Sequence, residues 1–385
     1  MAHHVRLLPL LCSILIGSLF PASLSADAVQ VRRIPQHGVQ PQVCVDTDGV
    51  VHLIYLVGDP AHSDIEYVRS VDGGASWSAP LRVNSQAGST VALGSVRGPH
   101  LAIGRGNRVH VAWMGSSIAE PKAPHGIAPM LYSRLAEDGK AFEPQRNVIV
   151  SHPGVDGGGS VAADQHGNVF VAWHAPAIFK GIEQDRRVWV ARSIDDGATF
   201  ATELSISDPA NGACGCCGMR IFATDKGFFA LYRGASEIVN RGMHLVDAGT
   251  DLSHPRDREI DPMKFGACIM STSAFGQASD HLLAAWETNG QVFWSRIDEP
   301  VMRSHAPPGA GDRRKHPAVA SSADGKVLLA WTERTGWNKG GSVAWQIFDR
   351  SGTPMADAAG RRDDLPAWDL PAVVCSSGGK WIVLY

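Results

Sequence analysis

The chain has 385 residues, 44% hydrophobic and 19% charged, with 41 Gly, 23 Pro and 11 Trp. Its 35 Lys and Arg nearly balance 38 Asp and Glu, for a formal net charge of −3. This composition excludes collagen-like and disordered chains, and it carries no charge excess that would draw nucleic acid or anionic lipid.

In chain order, residues 1–28 read as a secretory signal. A short basic start precedes an apolar run over 7–20, and Ala26-Asp27-Ala28 supplies small residues for cleavage. The mature domain is then 29–385, secreted or periplasmic. No later stretch reaches the ~18 apolar residues of a membrane span. Without Cys12, six cysteines remain: Cys44, Cys214, Cys216, Cys217, Cys268 and Cys375. An even number in an oxidising compartment makes disulfides the default expectation.

From there one pattern repeats: a turn with Gly, Asp or Asn, then an apolar run ending in Trp or Tyr. The copies lie at 49–55, 107–113, 168–173, 227–232, 281–286, 326–331 and 380–385. Their closing aromatics are 58, 60, 59, 54, 45 and 54 residues apart. That period marks a radial or stacked repeat whose units bury a core only together. A short strand precedes each run and a hairpin follows it, so each unit holds four antiparallel strands with no helical periodicity. The expected fold is an all-β propeller, with seven blades preferred to six. The last pair of strands ends the chain without its hairpin. Residues 29–34 are expected to serve that blade as its fourth strand and cover an open edge.

Two hairpins carry a sharper motif, Ser70-Val71-Asp72-Gly73-Gly74-Ala75-Ser76-Trp77 and Ser193-Ile194-Asp195-Asp196-Gly197-Ala198-Thr199-Phe200. The carboxylates of Asp72 and Asp195 are suited to accept backbone N–H bonds across the turn. Gly74 and Gly197 allow positive φ, and Trp77 and Phe200 cover the turn. Ser70 and Ser193 open each copy. These motifs resemble the Asp-box, or BNR repeat, of the sialidase-like β-propellers. In such folds they lie on outer hairpins and are structural, so the resemblance speaks for the fold and not for activity.

The resemblance also implies what a sialidase would need: an arginine cluster for a carboxylate, a Tyr nucleophile with a Glu base, and an Asp acid. Arg33-Ile34-Pro35 matches the usual first-arginine letters, but it precedes the first inner strand, which opens at Gln40-Pro41. Tyr232 with Glu237, and Asp59 as acid, are the weak catalytic candidates. Tyr232 also occupies a closing-aromatic position, which favours core packing.

The least generic segment is Gly212-Ala213-Cys214-Gly215-Cys216-Cys217-Gly218. It joins blade 3 to blade 4, and Cys268 holds the equivalent place before blade 5. Strand order therefore gathers Cys214, Cys216, Cys217 and Cys268 on the face where innermost strands begin. The motif resembles an exported bacterial subgroup of sialidase-like proteins. Two chemistries compete for these thiols: disulfides, or a soft-metal site for copper or zinc. Four methionines in the region, Met219, Met243, Met263 and Met270, would favour copper. The same face should carry a ligand pocket of His174, Arg220, Arg233, Glu287 and Glu333. Three functions follow: an exported propeller binding a glycan or other small molecule with no required cofactor, an exo-α-sialidase or related glycoside hydrolase, and a periplasmic copper or zinc protein.

Overall fold

A computed structural model of the chain describes Met1 and residues 29–152, 154–277, 281–311 and 313–385. The signal-like residues 2–28 lie outside the described residues. Seven sheets are arranged as blades. Blade 1 contains Val39–Val45, Val51–Asp59, His62–Ser70 and Leu81–Arg82, and blade 2 His100–Ile103, Val109–Met114, Met130–Arg134 and Arg146–Asn147. Blade 3 contains Gly159–Ala163, Val169–Pro176, Arg186–Ser193 and Leu204–Ser205, and blade 4 Arg220–Thr224, Gly227–Arg233, Met243–Ala248 and Arg256–Asp261. Blade 6 contains Lys315–Ser321, Val327–Glu333, Gly341–Phe348 and Pro354–Leu365. Each of these runs antiparallel from an inner first strand outward.

Blades 5 and 7 have three strands. Blade 5 consists of Ala274–Gln277, Leu282–Thr288 and Gln291–Arg296, with a single bridge from Trp294 to His305 at its outer edge. In blade 7, Ala372–Cys375 pairs with Trp381–Leu384, and Gln30–Arg32 adds beyond them. The N-terminal segment thus closes the last blade, but as its third strand, and parallel to its neighbour. Chain direction explains both differences. The segment itself occupies the third place, beside Trp381–Leu384, and it must arrive at the face where the inner strand of blade 1 begins. The second strand of every blade runs towards that face, so the two are parallel.

The core lies between blades, and residues along each second strand alternate between the two gaps. Val51, Leu53 and Tyr55 pack with Ile382 and Leu384 of blade 7, while Ile54 and Leu56 pack with Val111 and Trp113 of blade 2. The rule holds around the ring: Tyr55, Trp113, Trp173, Tyr232, Trp286, Trp331 and Tyr385 all point to the preceding blade. Burial on both sides explains the continuously apolar runs. The inner strands neighbour one another in a closed circle, blade 7 beside blade 1. We call the face where inner strands begin the upper face, and the opposite one the lower.

Both Asp-motif turns lie at the lower face, between third and fourth strands. Asp195 Oδ1 accepts from the Thr199 N–H at 2.8 Å, and the Ser193 hydroxyl accepts from the Gly197 N–H at 2.9 Å. Asp72 and Ser70 repeat these contacts with Ser76 and Gly74. Gly197 has φ +77°, and a Cβ there would meet the Tyr132 hydroxyl at 1.9 Å. Ser193→Ala should cost about 1–3 kcal/mol, because it leaves a buried N–H unpaired. Urea unfolding measures this, and an unchanged midpoint would show the turn holds without the serine.

Candidate functional site

An axial cavity of about 820 Å³ follows the circle of inner strands. Near the upper face it is lined by His100, Ser160, Arg220 and Thr272, with Cys44 further down the inner strand of blade 1. At the lower face its lining includes Gln165, Asp225 and Lys226, which are exposed and form an open rim. The Arg220 guanidinium reaches across the axis to the His100 ring. No carboxylate of the described residues lies within ion-pair distance of Arg220. Burial brings its pKa down to about 9 and that of the adjoining Cys44 thiol up to about 12.

The upper end of the cavity is covered. Residues 93–98, in the connection from blade 1 to blade 2, place Gly94 against Trp337 of blade 6 and Gly98 against Gln40 of blade 1. Val96 and Arg97 lie on Gly158, ahead of the inner strand of blade 3. Contact with blades 3 and 6 at once, on opposite sides of a seven-blade ring, takes this segment over the axis.

Of the five residues expected to form a pocket on the upper face, Arg220 lines the cavity. Arg233 and Glu287 form a buried ion pair at 3.1 Å, and Glu287 Oε1 also accepts from the Gly290 N–H at 2.7 Å. Glu333 accepts from Arg314 at 3.2 Å, from the Trp331 indole at 2.9 Å and from Arg361 at 2.7 Å. His174 is fully buried, and neither ring nitrogen has a hydrogen-bond partner. Burial lowers its pKa to about 4 against the pull of Asp156.

The weak catalytic candidates do not converge. Tyr232 is buried between blades 3 and 4, and its hydroxyl donates to Asp257. Asp257 also binds His244 at 3.0 Å. Burial first, then the Asp257 charge, raises the Tyr232 pKa far above the ordinary phenol value. Glu237 is exposed and accepts from Asn240 at 3.2 Å. Asp59 closes a turn by accepting from the N–H groups of Ala61 and His62. Arg33 lies over the Tyr385 ring at 4.6 Å and pairs with Asp364 at 3.2 Å.

The cysteine loop does gather. The sulfurs of Cys214, Cys216 and Cys217 lie within 4.8 Å of one another, an arrangement that could hold a metal ion. Cys268 is close enough to Cys216 for a thiol–thiol hydrogen bond. Ala235, Met263 and Ile269 enclose the group. Hydrogen bonds from Cys214 and Cys216, followed by the Arg233 charge, hold the Cys217 thiol far below its ordinary pKa. Backbone bonds fix the loop: Cys214 N–H to Arg233 O at 2.9 Å and Gly218 N–H to Ser271 O at 2.9 Å. At Gly157, φ +94°, a Cβ would fall 1.8 Å from the Gly215 carbonyl oxygen, so blade 3 presses directly on the loop.

The expected disulfides are absent: all six described cysteines are free thiols. The Cys214–Cys216 sulfurs are 3.2 Å apart, well beyond the ~2.05 Å of a bond. Cys44 and Cys375 turn to separate carbonyls, those of Leu101 and Ser376.

Sequence reasoning passed over His100, His316 and Asp369. His316 precedes Pro317 on the inner strand of blade 6, and burial lowers its pKa to about 3. Asp369 accepts from the Gln40 and Leu370 N–H groups on one oxygen, and its other oxygen has no partner. Burial raises its pKa to about 7. A polar residue at or just before the start of an inner strand was the available signal.

No family model and no curated protein matches the chain. Solved structures do. An ulvan lyase of a polysaccharide lyase family, bound to -[GlcA(1-4)Rha3S]-, has TM-score 0.56 and 12% identity, over 88% of each chain. A Penicillium chrysogenum α-L-arabinanase complexed with arabinobiose has TM-score 0.54 and 11% identity, over 83% of this chain and 96% of that one. A Hadza microbial sialidase has TM-score 0.53 and 11% identity, and the match spans 77% of this chain but only 63% of the sialidase. The fold is that of the sialidase-like β-propellers, and at these identities the likeness is one of fold.

Proposed function

We propose that this protein is an exported propeller that binds a carbohydrate with an acidic group in its axial cavity. The observation that carries this reading is Arg220, a half-buried cation on the cavity wall without a carboxylate partner among the described residues. A carboxylate or sulfate would supply the missing charge through a charge-assisted pair. The cavity has the size of small-molecule sites, and the polar groups of His100, Ser160 and Thr272 face a sugar's hydroxyls. The neighbouring folds are, by name, a sialidase, an arabinanase and a lyase, which agrees with a carbohydrate ligand. Export rests on the signal-like residues 1–28. Hydrolysis of the exo-α-sialidase type would need a free Tyr nucleophile, and Tyr232 is committed to Asp257; binding is therefore the stronger reading.

Calorimetric titration with uronic acids, sulfated sugars and their neutral counterparts tests this. Acidic sugars should bind, and Arg220→Met should weaken them about ten- to hundredfold, the worth of a hydrogen bond to a charged group. Equal binding of neutral sugars, or an unaffected Arg220→Met, would refute it.

A second reading is favoured by the three converging sulfurs: a soft metal ion, copper or zinc, held at Cys214, Cys216 and Cys217.

A further inference from the structure

We infer that the cysteine loop is a copper(I) site, with Cys214, Cys216 and Cys217 as ligands, Met263 as adjoining thioether and Cys268 as the surface thiol through which the ion passes. The inference rests on the metal reading of the loop and says which metal it takes and how it is loaded.

Spacing comes first. Sulfurs bound at about 2.3 Å to one ion cannot be more than about 4.6 Å apart, and in a planar three-coordinate site they are about 4 Å apart. The three sulfurs already lie within 4.8 Å, so small side-chain adjustments suffice. The backbone is set by the bonds to Arg233 and Ser271 and by a further turn bond from the Cys217 N–H to the Cys214 carbonyl at 3.3 Å. Coordination number comes next. Structural zinc sites are almost always four-coordinate and closed, whereas only three sulfurs converge here. The fourth, Cys268, is exposed, beside Cys216 and outside the convergent set.

The surrounding shell is soft and dry. Met263 packs with Cys214 and Cys217 in one cluster, and Ala235 and Ile269 complete it. Thioether sulfur is a soft donor suited to copper(I), whereas zinc sites are built from Cys, His and carboxylate ligands. The other methionines of the region are placed elsewhere: Met219 in the core between blades 3 and 4, Met243 between blades 4 and 5, and Met270 beside Gly94 and Trp337. Two guanidinium groups lie near the sulfurs, Arg233 by Cys217 and Arg241 by Cys214 and Cys216, each held in place by a carboxylate, Glu287 and Glu183. Binding is a substitution without electron transfer: each S–H that ligates gives its proton to solvent and its sulfur lone pair to the ion. Exchange of sulfur partners through Cys268 carries the ion between the surface and the buried thiols.

The test uses the mature chain, purified reduced and without oxygen, and titrated in parallel arms with copper(I) and zinc(II) against a competing chelator. Retention of about one copper(I) per chain, with sulfur-to-copper charge-transfer absorption and with zinc displaced, is the expected result. Met263→Leu should weaken copper(I) about 10- to 100-fold and leave zinc unchanged, as changes beside a metal centre do. Cys268→Ser should keep the stoichiometry and slow transfer to the chelator. Cys216→Ser and Cys217→Ser should abolish retention; if either fails to fold, Met263→Leu and Cys268→Ser still decide. Preference for zinc, or copper(I) binding indifferent to Met263→Leu, would overturn the copper assignment and leave the metal reading standing. Retention of neither metal would overturn both.

Discussion

Stability should fall steeply as the protein is acidified below pH 6.5. His100, His174 and His316 are buried near the upper end of the axis, and burial lowers the pKa of each: to about 4 for His174, to about 3 for His316, and well below 6.5 for His100. An unfolded chain protonates these rings below pH 6.5, while in the folded protein His174 and His316 resist until about pH 4 and 3 and His100 resists well below 6.5. The stability they contribute is present above pH 6.5 and is lost as pH falls through the folded values. Each neutral ring costs about 1.4 kcal/mol per pH unit in that window, which for His174 alone approaches about 3 kcal/mol near pH 4. Asp369 works in the opposite sense. Its folded pKa is raised to about 7, so its contribution is greatest in acid and is lost as pH rises towards neutrality. Taken by themselves, these three groups against one give a loss of about 3 kcal/mol per pH unit on acidification, and the lowered pKa values of buried His52 and His110 act in the same direction. Urea midpoints at closely spaced pH values between 7 and 5 measure the slope. His316→Asn, which accepts the positive φ of 51° at this position, should flatten it by about 1.4 kcal/mol per pH unit. A slope unchanged by that substitution would mean that His316 takes its proton at the same pH in the folded and unfolded states, against its burial.

The same residues mark the limits of what could be read from the chain. Second strands were legible because burial on both sides writes Val, Leu, Ala and Trp without interruption. The even spacing of closing aromatics has a geometric cause, since all seven fill the gap to the preceding blade. Fourth strands were far less legible: Leu81–Arg82, Arg146–Asn147 and Leu204–Ser205 are two residues each. Convergence of Cys214, Cys216 and Cys217 followed from strand order, because a connection from a fourth strand to the next first strand can only lie on one face. The cover over the axis did not. Nothing in Gly94-Ser95-Val96 says that it will meet Trp337 or Gly158, partners on opposite sides of the ring. Arg220 and His100 are likewise 120 residues apart and meet only because the ring closes. A pocket inferred from loop positions alone therefore included Arg233 and Glu287, which satisfy each other.

Replacement of Arg233 by Met should be among the most damaging single changes in the protein, at about 3–5 kcal/mol. The guanidinium is 3% exposed and holds four acceptors: the Arg241 and Glu287 carbonyls, the Glu287 carboxylate and the Met263 sulfur. Its loss leaves Glu287, 1% exposed, as a buried charge whose carboxylate keeps, among the described residues, the hydrogen bond from the Gly290 N–H. Burial already raises the Glu287 pKa against the Arg233 charge. Without that charge the carboxyl escapes its penalty by taking a proton, so the damage should grow as pH rises. Arg233→Met/Glu287→Met should recover most of the loss, because removing both partners takes away the buried charge along with its counterion. A double-mutant cycle by urea unfolding at pH 6 and pH 8 separates these terms. A single-variant loss under about 1 kcal/mol would place the pair with exposed ion pairs and contradict its burial. The pair also bears on the thiols, since the Arg233 carbonyl accepts the Cys214 N–H and its side chain donates to Met263. Arg233→Met should therefore loosen the cysteine loop while the double variant restores it, and thiol alkylation rates would follow the two together.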